Sequence, residues 1–334
     1  MHRPVSETPA GRGAARACKG RHLILSCAAM LALRAPAMAS ATAPDCAAHP
    51  GVALQVLGSG GPIADDDRAG SGYLLRHAGR ARLLVDAGAG TFQRFGAADA
   101  RLQDLDAVVL SHLHTDHAAA FPGLVKSLYF SDRTRPLAVV GPDGAGAFPS
   151  LARYLEALFG DGGAYAYLGG ALDGTGGLAR LEPLTVSHRT RERTPITLPA
   201  GVTGAEPPLS LAAVGVHHGI VPTLAWRVRL AGRIVVFASD QSAKNPHMPE
   251  FAKDADLMVI HAAIPEGAGA AARALHRTPS ELAALVRAAA PAQVVVSHWM
   301  QRSLAVQERV LATIDAALPG RVVAATDLSC FALE

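Results

Sequence analysis

"VVLSHLHTDH", residues 108–117, places His112, His114, Asp116 and His117 within six positions directly behind an apolar run. Three imidazoles and a carboxylate so close together are costly to desolvate unless something shares them. A divalent metal is the usual partner, because imidazole and carboxylate both ligate zinc well. If a strand ends there, the irregular backbone beyond it can fold several side chains onto one point. A lone histidine after an apolar run is more often a hydrogen-bonded structural residue than a ligand. The crowding of this stretch argues against that reading.

Outward from it, the same layout recurs. Apolar runs of strand length end in glycines at "VALQVLGSGG" (52–61), at Asp86 in "ARLLVDAG" (81–88) and at His217 and His218 in "LAAVGVHHG" (211–219). Others end at Asp240 in "GRIVVFASD" (232–240), His261 in "DLMVIH" (256–261) and His298 in "AQVVVSH" (292–298). Short Val/Ile/Leu runs bounded by Gly, Asp or Ser predict buried strands. Helical patterns lie between them at 148–160, 278–291 and 303–320. The second opens with a capping box from Thr278 to Glu281, with Pro279 at its first position. Mixed strands and helices along one chain imply an α/β layered domain. No Ser/Gly-rich linker, repeat or charge block divides it, and the Gly-rich stretch 160–177 reads as a surface loop.

The His-x-His-x-Asp-His pattern of 112–117 resembles that of the metallo-β-lactamase superfamily, and the likeness spans about residues 52 to 334. Within it the chain is similar to the ribonuclease Z-like branch, with related phosphodiesterases and arylsulfatases. That likeness rests on "LGSGGP" (57–62), "LLVDAGAGT" (83–91), "SHLHTDH" (111–117), "VHHG" (216–219), "VVFASD" (235–240), "HRTPSE" (276–281) and "VVVSH" (294–298). The resemblance implies a four-layer αβ/βα sandwich with two zinc ions at one edge. It implies His112, His114 and His218 around the first ion and Asp116, His117 and His298 around the second, with Asp240 bridging. Asp116 would also take part in catalysis. It further implies His276 beside a substrate phosphate, as acid.

Several positions have rivals. His217 competes with His218, and strand alternation points the two to opposite faces. Gly219 matches the branch's His-Gly pair and favours His218. His188 lacks such a glycine and reads as structural. His247 reads as an exposed loop or rim residue. Asp86 reads as a carboxylate supporting the ligands, or as an ordinary strand-end turn residue. The departures matter too. Where the branch has a glutamate to pair with the histidine at 276, this chain has His261. Ala120 replaces a frequent glycine. The branch's long RNA-gripping arm is absent, because "LAWRVRLAGRIVVFASD" passes from strand to strand through a short turn.

A dinuclear zinc site lowers the pKa of water towards neutrality and supplies a nucleophile without Ser or Cys. The expected activity is therefore metal-dependent hydrolysis of a small phosphodiester or aryl sulfate ester. The rivals are lactone or β-lactam hydrolysis and, in a different class, a mononuclear iron thiol dioxygenase. A metal-binding module without activity is disfavoured because no ligand position is lost.

The N-terminus decides what the bulk charge means. Residues 1–22 carry five Lys/Arg and one acidic residue, then comes apolar "LILSCAAMLAL" (23–33), then Ala-x-Ala at 37–39. This is the layout of a cleaved secretory signal, giving a leader 1–39 and a single domain 40–334. No later segment is long and uncharged enough to cross a bilayer. The formal net charge of +3 belongs to the leader, and without it 25 basic and 27 acidic residues remain. On that basis nucleic acid is an unlikely partner, and homo-oligomers stay open. Export to the periplasm or medium also predicts a Cys46–Cys330 disulfide, the alternative being two free thiols.

Overall fold

The computed structural model describes residues 45–203 and 206–334. The expected leader lies outside the described residues. Fourteen strands among them form two seven-stranded sheets. The first has the spatial order β14 (Cys330–Leu333), β1 (Val52–Gly58), β2 (Gly72–His77), β3 (Arg80–Val85), β4 (Ala107–Val109), β5 (Leu137–Pro142) and β6 (Leu181–Val186). The second runs β13 (Val322–Ala324), β12 (Gln293–Ser297), β11 (Leu257–His261), β10 (Arg233–Phe237), β9 (Val221–Leu230), β8 (Ser210–His218) and β7 (Thr194–Ile196).

Alternation along each strand sorts the apolar side chains into layers. Leu83 and Val85 of β3 join Tyr73, Trp226, Val235 and Leu257 in a core between the sheets. Leu84, between them, packs outward with Phe95, Leu124 and Leu155 from the helices of that side. On the other side Val236, Met258 and Val294 meet Phe251, Leu282, Leu285 and Val310. The result is helix, sheet, sheet, helix: the αβ/βα sandwich. Both faces of the central strands are covered, which is why they read as unbroken apolar runs.

The helices at 148–160 and 278–291 are found as Leu151–Phe159 and Pro279–Ala289, the latter with the full Thr278–Glu281 capping box. The third breaks into Gln301–Leu304 and Gln307–Asp315 around Val306, whose backbone leaves helical geometry. β9 and β10 are joined by Ala231 and Gly232, both with positive φ (47° and 82°), as a two-residue hairpin requires. Ala120 has φ −82°, which needs no glycine.

Cys46 and Cys330 are bonded, with Cα atoms 5.6 Å apart. β14 pairs with β1, Cys330 opposite Gln55, so the last strand lies beside the first and the bridge ties β14 to the segment that precedes β1. Among the described residues no helix is long and apolar enough to cross a membrane.

Candidate metal centre

The opening loop is organised from β3. Asp86 Oδ1 accepts the Ser111 backbone N–H at 2.6 Å, and Oδ2 accepts the Ser111 hydroxyl at 2.8 Å. The same Oδ2 lies 2.8 Å from His117 Nδ1. A carboxylate can only accept, so Nδ1 carries a proton and Nε2 is the nitrogen turned towards the centre. The Ala87 N–H donates to the His117 carbonyl at 2.7 Å. Gly88 lets this approach happen: a Cβ there would stand 2.0 Å from the Asp116 carbonyl oxygen.

The other residues arrive from the second sheet. His218 ends β8, Asp240 follows β10, His261 ends β11 and His298 follows β12. Because β10, β11 and β12 are parallel, their C-terminal ends share one edge, facing the loop of the first sheet. His298 has φ +56°, an uncommon value for a non-glycine residue that turns the chain sharply as it leaves β12. His276 lies two residues before Thr278, the cap of the Pro279–Ala289 helix.

The donor atoms fall into two groups. His112 Nε2 and His218 Nε2 lie 3.1 and 3.4 Å from His114 Nδ1. Asp116 Oδ2 lies 3.1 Å from His298 Nε2 and 3.6 Å from His117 Nε2. Asp240 Oδ2 sits between them, 3.9 and 3.7 Å from His112 and His218 Nε2, and 3.5 and 3.4 Å from His117 and His298 Nε2. Tetrahedral zinc ligands bonded at about 2.0–2.2 Å stand roughly 3.3–3.6 Å from one another. The observed spacings bracket that edge, so each group could hold a cation.

The donor chemistry fits as well. Burial pushes the imidazoles of His112, His114 and His218 below their usual value, towards the neutral form that ligates metals. Burial pushes the Asp116 and Asp240 carboxyls up, but the neighbouring imidazoles, His117 and His298 among them, outweigh it and hold both low. Conversely, burial lowers His117 and His298, yet the carboxylates around them outweigh it and raise both. The site thus attracts positive charge at the point where the donors converge. His117 Nε2 is buried with no hydrogen-bond partner, as an atom aimed at a metal would be.

His217 turns to the opposite side of β8 from His218, its Nδ1 2.7 Å from Ser242 Oγ. His188 binds Asp143 away from the centre. His247 donates to the Gly215 carbonyl at 2.9 Å and is half-buried, not a free rim residue. His276 reaches the centre, its Nδ1 3.7 Å from Asp240 Oδ1. Burial pushes it down to about 3 despite Asp240. His261 does not pair with His276; its Nδ1 lies 2.7 Å from Asp240 Oδ1 and its Nε2 3.0 Å from the Tyr73 hydroxyl.

A cavity of about 450 Å³ opens over the donors, lined by His114, Asp116, His218, His276 and Arg302. Arg302, four residues beyond His298, and Tyr73 of β2 stand in no motif of the sequence, yet the fold brings both to the site. A second cavity of about 470 Å³ continues past Arg68 and Arg94, sharing Pro62, Thr115 and Asp116 with the first.

Clustered donors at one edge of this sandwich define a metal-dependent hydrolase. Residues 81–299 match the family model described as the beta-lactamase superfamily domain. The chain belongs to that superfamily, in its ribonuclease Z-like branch. It is 30% identical over 290 residues to ribonuclease Z of Mycolicibacterium paratuberculosis, covering 83% of this chain and 96% of that protein. Among solved structures, YhfI of Bacillus subtilis, a metallo-beta-lactamase fold protein, aligns with TM-score 0.63 at 19% identity, over 84% of this chain and 98% of that one. The short form of human tRNase Z gives 0.62 at 17%, over 84% and 99%.

The ribonuclease relatives correct one expectation. A small ester as substrate, with nucleic acid an unlikely partner, does not stand against ribonucleases that match this chain over nearly their whole length. A formal net charge averages the whole surface and does not locate the charges that a substrate meets. Arg68 and Arg302 line the cavities at the centre, a local concentration of positive groups that a whole-chain count does not record.

Proposed function

We propose that this chain is a dinuclear zinc phosphodiesterase acting on RNA. The observation that carries this reading is the position of Asp240 Oδ2, within 3.4–3.9 Å of Nε2 atoms from both donor groups. His112, His114 and His218 would hold one ion, and Asp116, His117 and His298 the other, with Asp240 between them. Bound there, two zinc ions would lower the pKa of water, offset phosphate charge and polarise its oxygens. Asp116, at the cavity wall, would orient the attacking water and accept its proton. His276 would donate a ring N–H to the departing oxygen, and Arg302 would face a phosphate oxygen. The adjoining cavity past Arg68 and Arg94 has room for a flanking nucleotide.

We further infer that the protein is exported and works where disulfides persist, supported by the leader-like residues 1–39 and the Cys46–Cys330 bridge.

The test is direct. Protein purified with its disulfide intact should carry two zinc ions per chain and cleave a labelled oligoribonucleotide, and chelation should abolish cleavage. One metal, iron alone, or intact RNA under zinc-loaded conditions would sink the reading. Fractionation finding the protein in the cytoplasm with both thiols free would sink the export inference.

A further inference from the structure

Asp240 has two oxygens, and the structure gives them different neighbours. Oδ2 faces the four Nε2 atoms of the metal donors. Oδ1 is 2.7 Å from His261 Nδ1. His261 is 5% exposed, and a carboxylate has no proton to give here, so Nδ1 must be the donor. The other ring nitrogen is held as well. His261 Nε2 lies 3.0 Å from the Tyr73 hydroxyl, which in turn lies 2.9 Å from Ser297 Oγ. Tyr73 is 1% exposed, packed against Phe237 in the core between the sheets, so its hydroxyl has little freedom to move. The His261 ring also stacks on His298, with centroids 4.8 Å apart.

We infer that His261 and Tyr73 are positioning residues that hold Asp240 Oδ1 and so leave Oδ2 as the single oxygen offered to both metal donor groups. A carboxylate free to rotate would present either oxygen, or both to one cation, and would lose the shared placement. Although His261 lies among donors that could hold a metal, both its nitrogens are engaged, so it acts through Asp240. Ser297 lies next to His298 and ties the relay to the end of β12. The same strand end thus supplies a candidate ligand and the anchor of the relay. This inference rests on the metal-centre reading above.

Side-chain isosteres separate the two nitrogens. Asn places an amide N–H where His has Nδ1, whereas Gln places its amide group, which can accept from a hydroxyl, where His has Nε2. Zinc affinity of the disulfide-bonded protein is measured by competition with a chromogenic chelator, with thermal melting to follow folding. His261→Leu should weaken zinc binding about 10–100-fold, the range expected when the partner of a ligand is lost. His261→Asn should recover most of that loss. His261→Gln, which keeps only the Tyr73 side, should resemble His261→Leu. Tyr73→Phe should weaken zinc less than His261→Leu, and add nothing to it in the double variant.

Cobalt substitution gives a second readout: the visible spectrum should change in His261→Leu and return towards the parent in His261→Asn. Parental zinc affinity in His261→Leu would overturn the inference. So would equal losses in folded Asn and Gln variants, and if the Leu variant does not fold, the Asn and Gln pair decides. A parent protein that binds no metal sinks the dinuclear reading and this relay together. A parent that binds metal, with Asn and Gln variants alike, sinks the relay alone.

Discussion

The two halves of the metal centre are built in opposite ways. The first-sheet half is one short segment, Ser111–His117, whose donors are neighbours in the chain and are braced by Asp86. The second-sheet half is assembled from His218, Asp240, His261, His276 and His298, which span eighty positions and reach the site from four strand ends and a helix cap. A contiguous loop carries its chemistry as a pattern. A set of strand ends carries it only once parallel strands align them.

Asp240, whose Oδ2 lies near Nε2 atoms of both donor groups, tests the comparison most severely. Asp240→Ala should lower RNA cleavage by at least about 10³-fold, beyond the usual effect of removing one stabilising group, and should lower metal content. Elemental analysis beside single-turnover rates would check it, and a variant with both metals and near-parental rate would break the shared-oxygen picture.

His276 distinguishes binding from chemistry within the second half. His276, neutral in its buried setting, would stabilise the departing oxygen as a hydrogen-bond donor, so His276→Ala should keep its metals yet lose about 10²–10³ in rate on substrates with poor leaving groups, and much less on activated aryl phosphodiesters. Equal losses on both would leave His276 as a binding residue.

A third test moves from rate to stability. The disulfide joins β14 to the segment before β1, across a sequence separation of 284. Replacing Cys46 and Cys330 together by Ala should cost about 2–5 kcal/mol, read as a lower denaturant midpoint. Since the bridge lies at the β1–β14 edge and touches no donor, the zinc stoichiometry should not change.

The smallest effect sharpens the comparison. His217→Ala should leave zinc binding and cleavage near parental levels, whereas His218→Ala should impair both, because adjacent residues of β8 face opposite ways. Comparable losses in the two would mean that the strand is not in the register described.

Much of this was legible beforehand, for identifiable reasons. β3, β8, β10, β11 and β12 are buried on both faces, so they stand out as apolar runs, and each stops at a polar residue that the fold uses. β2, β5, β6 and β14 do not stand out in this way, since a short run without a ligand at its end resembles any core segment. The helix expected over 303–320 reads as continuous because apolar periodicity survives the break at Val306. Charge was the poorest guide. A whole-chain count has no address, whereas any substrate meets the local field of the side chains around the site.

The amino-acid sequence by itself determined the donor loop and an α/β layered class, which follow from spacing along the chain and from recurrent apolar runs. The sandwich and the choice of His218 over His217 came with the family resemblance, Gly219 above all, since strand alternation says only that the two histidines face opposite ways. Only the tertiary structure decided that Asp240 divides its oxygens between the metal donors and His261, that Tyr73 stands behind that histidine, and that Arg302 faces the cavity. Those relations join residues up to 188 positions apart. No local pattern records them, because they exist only where two sheets meet.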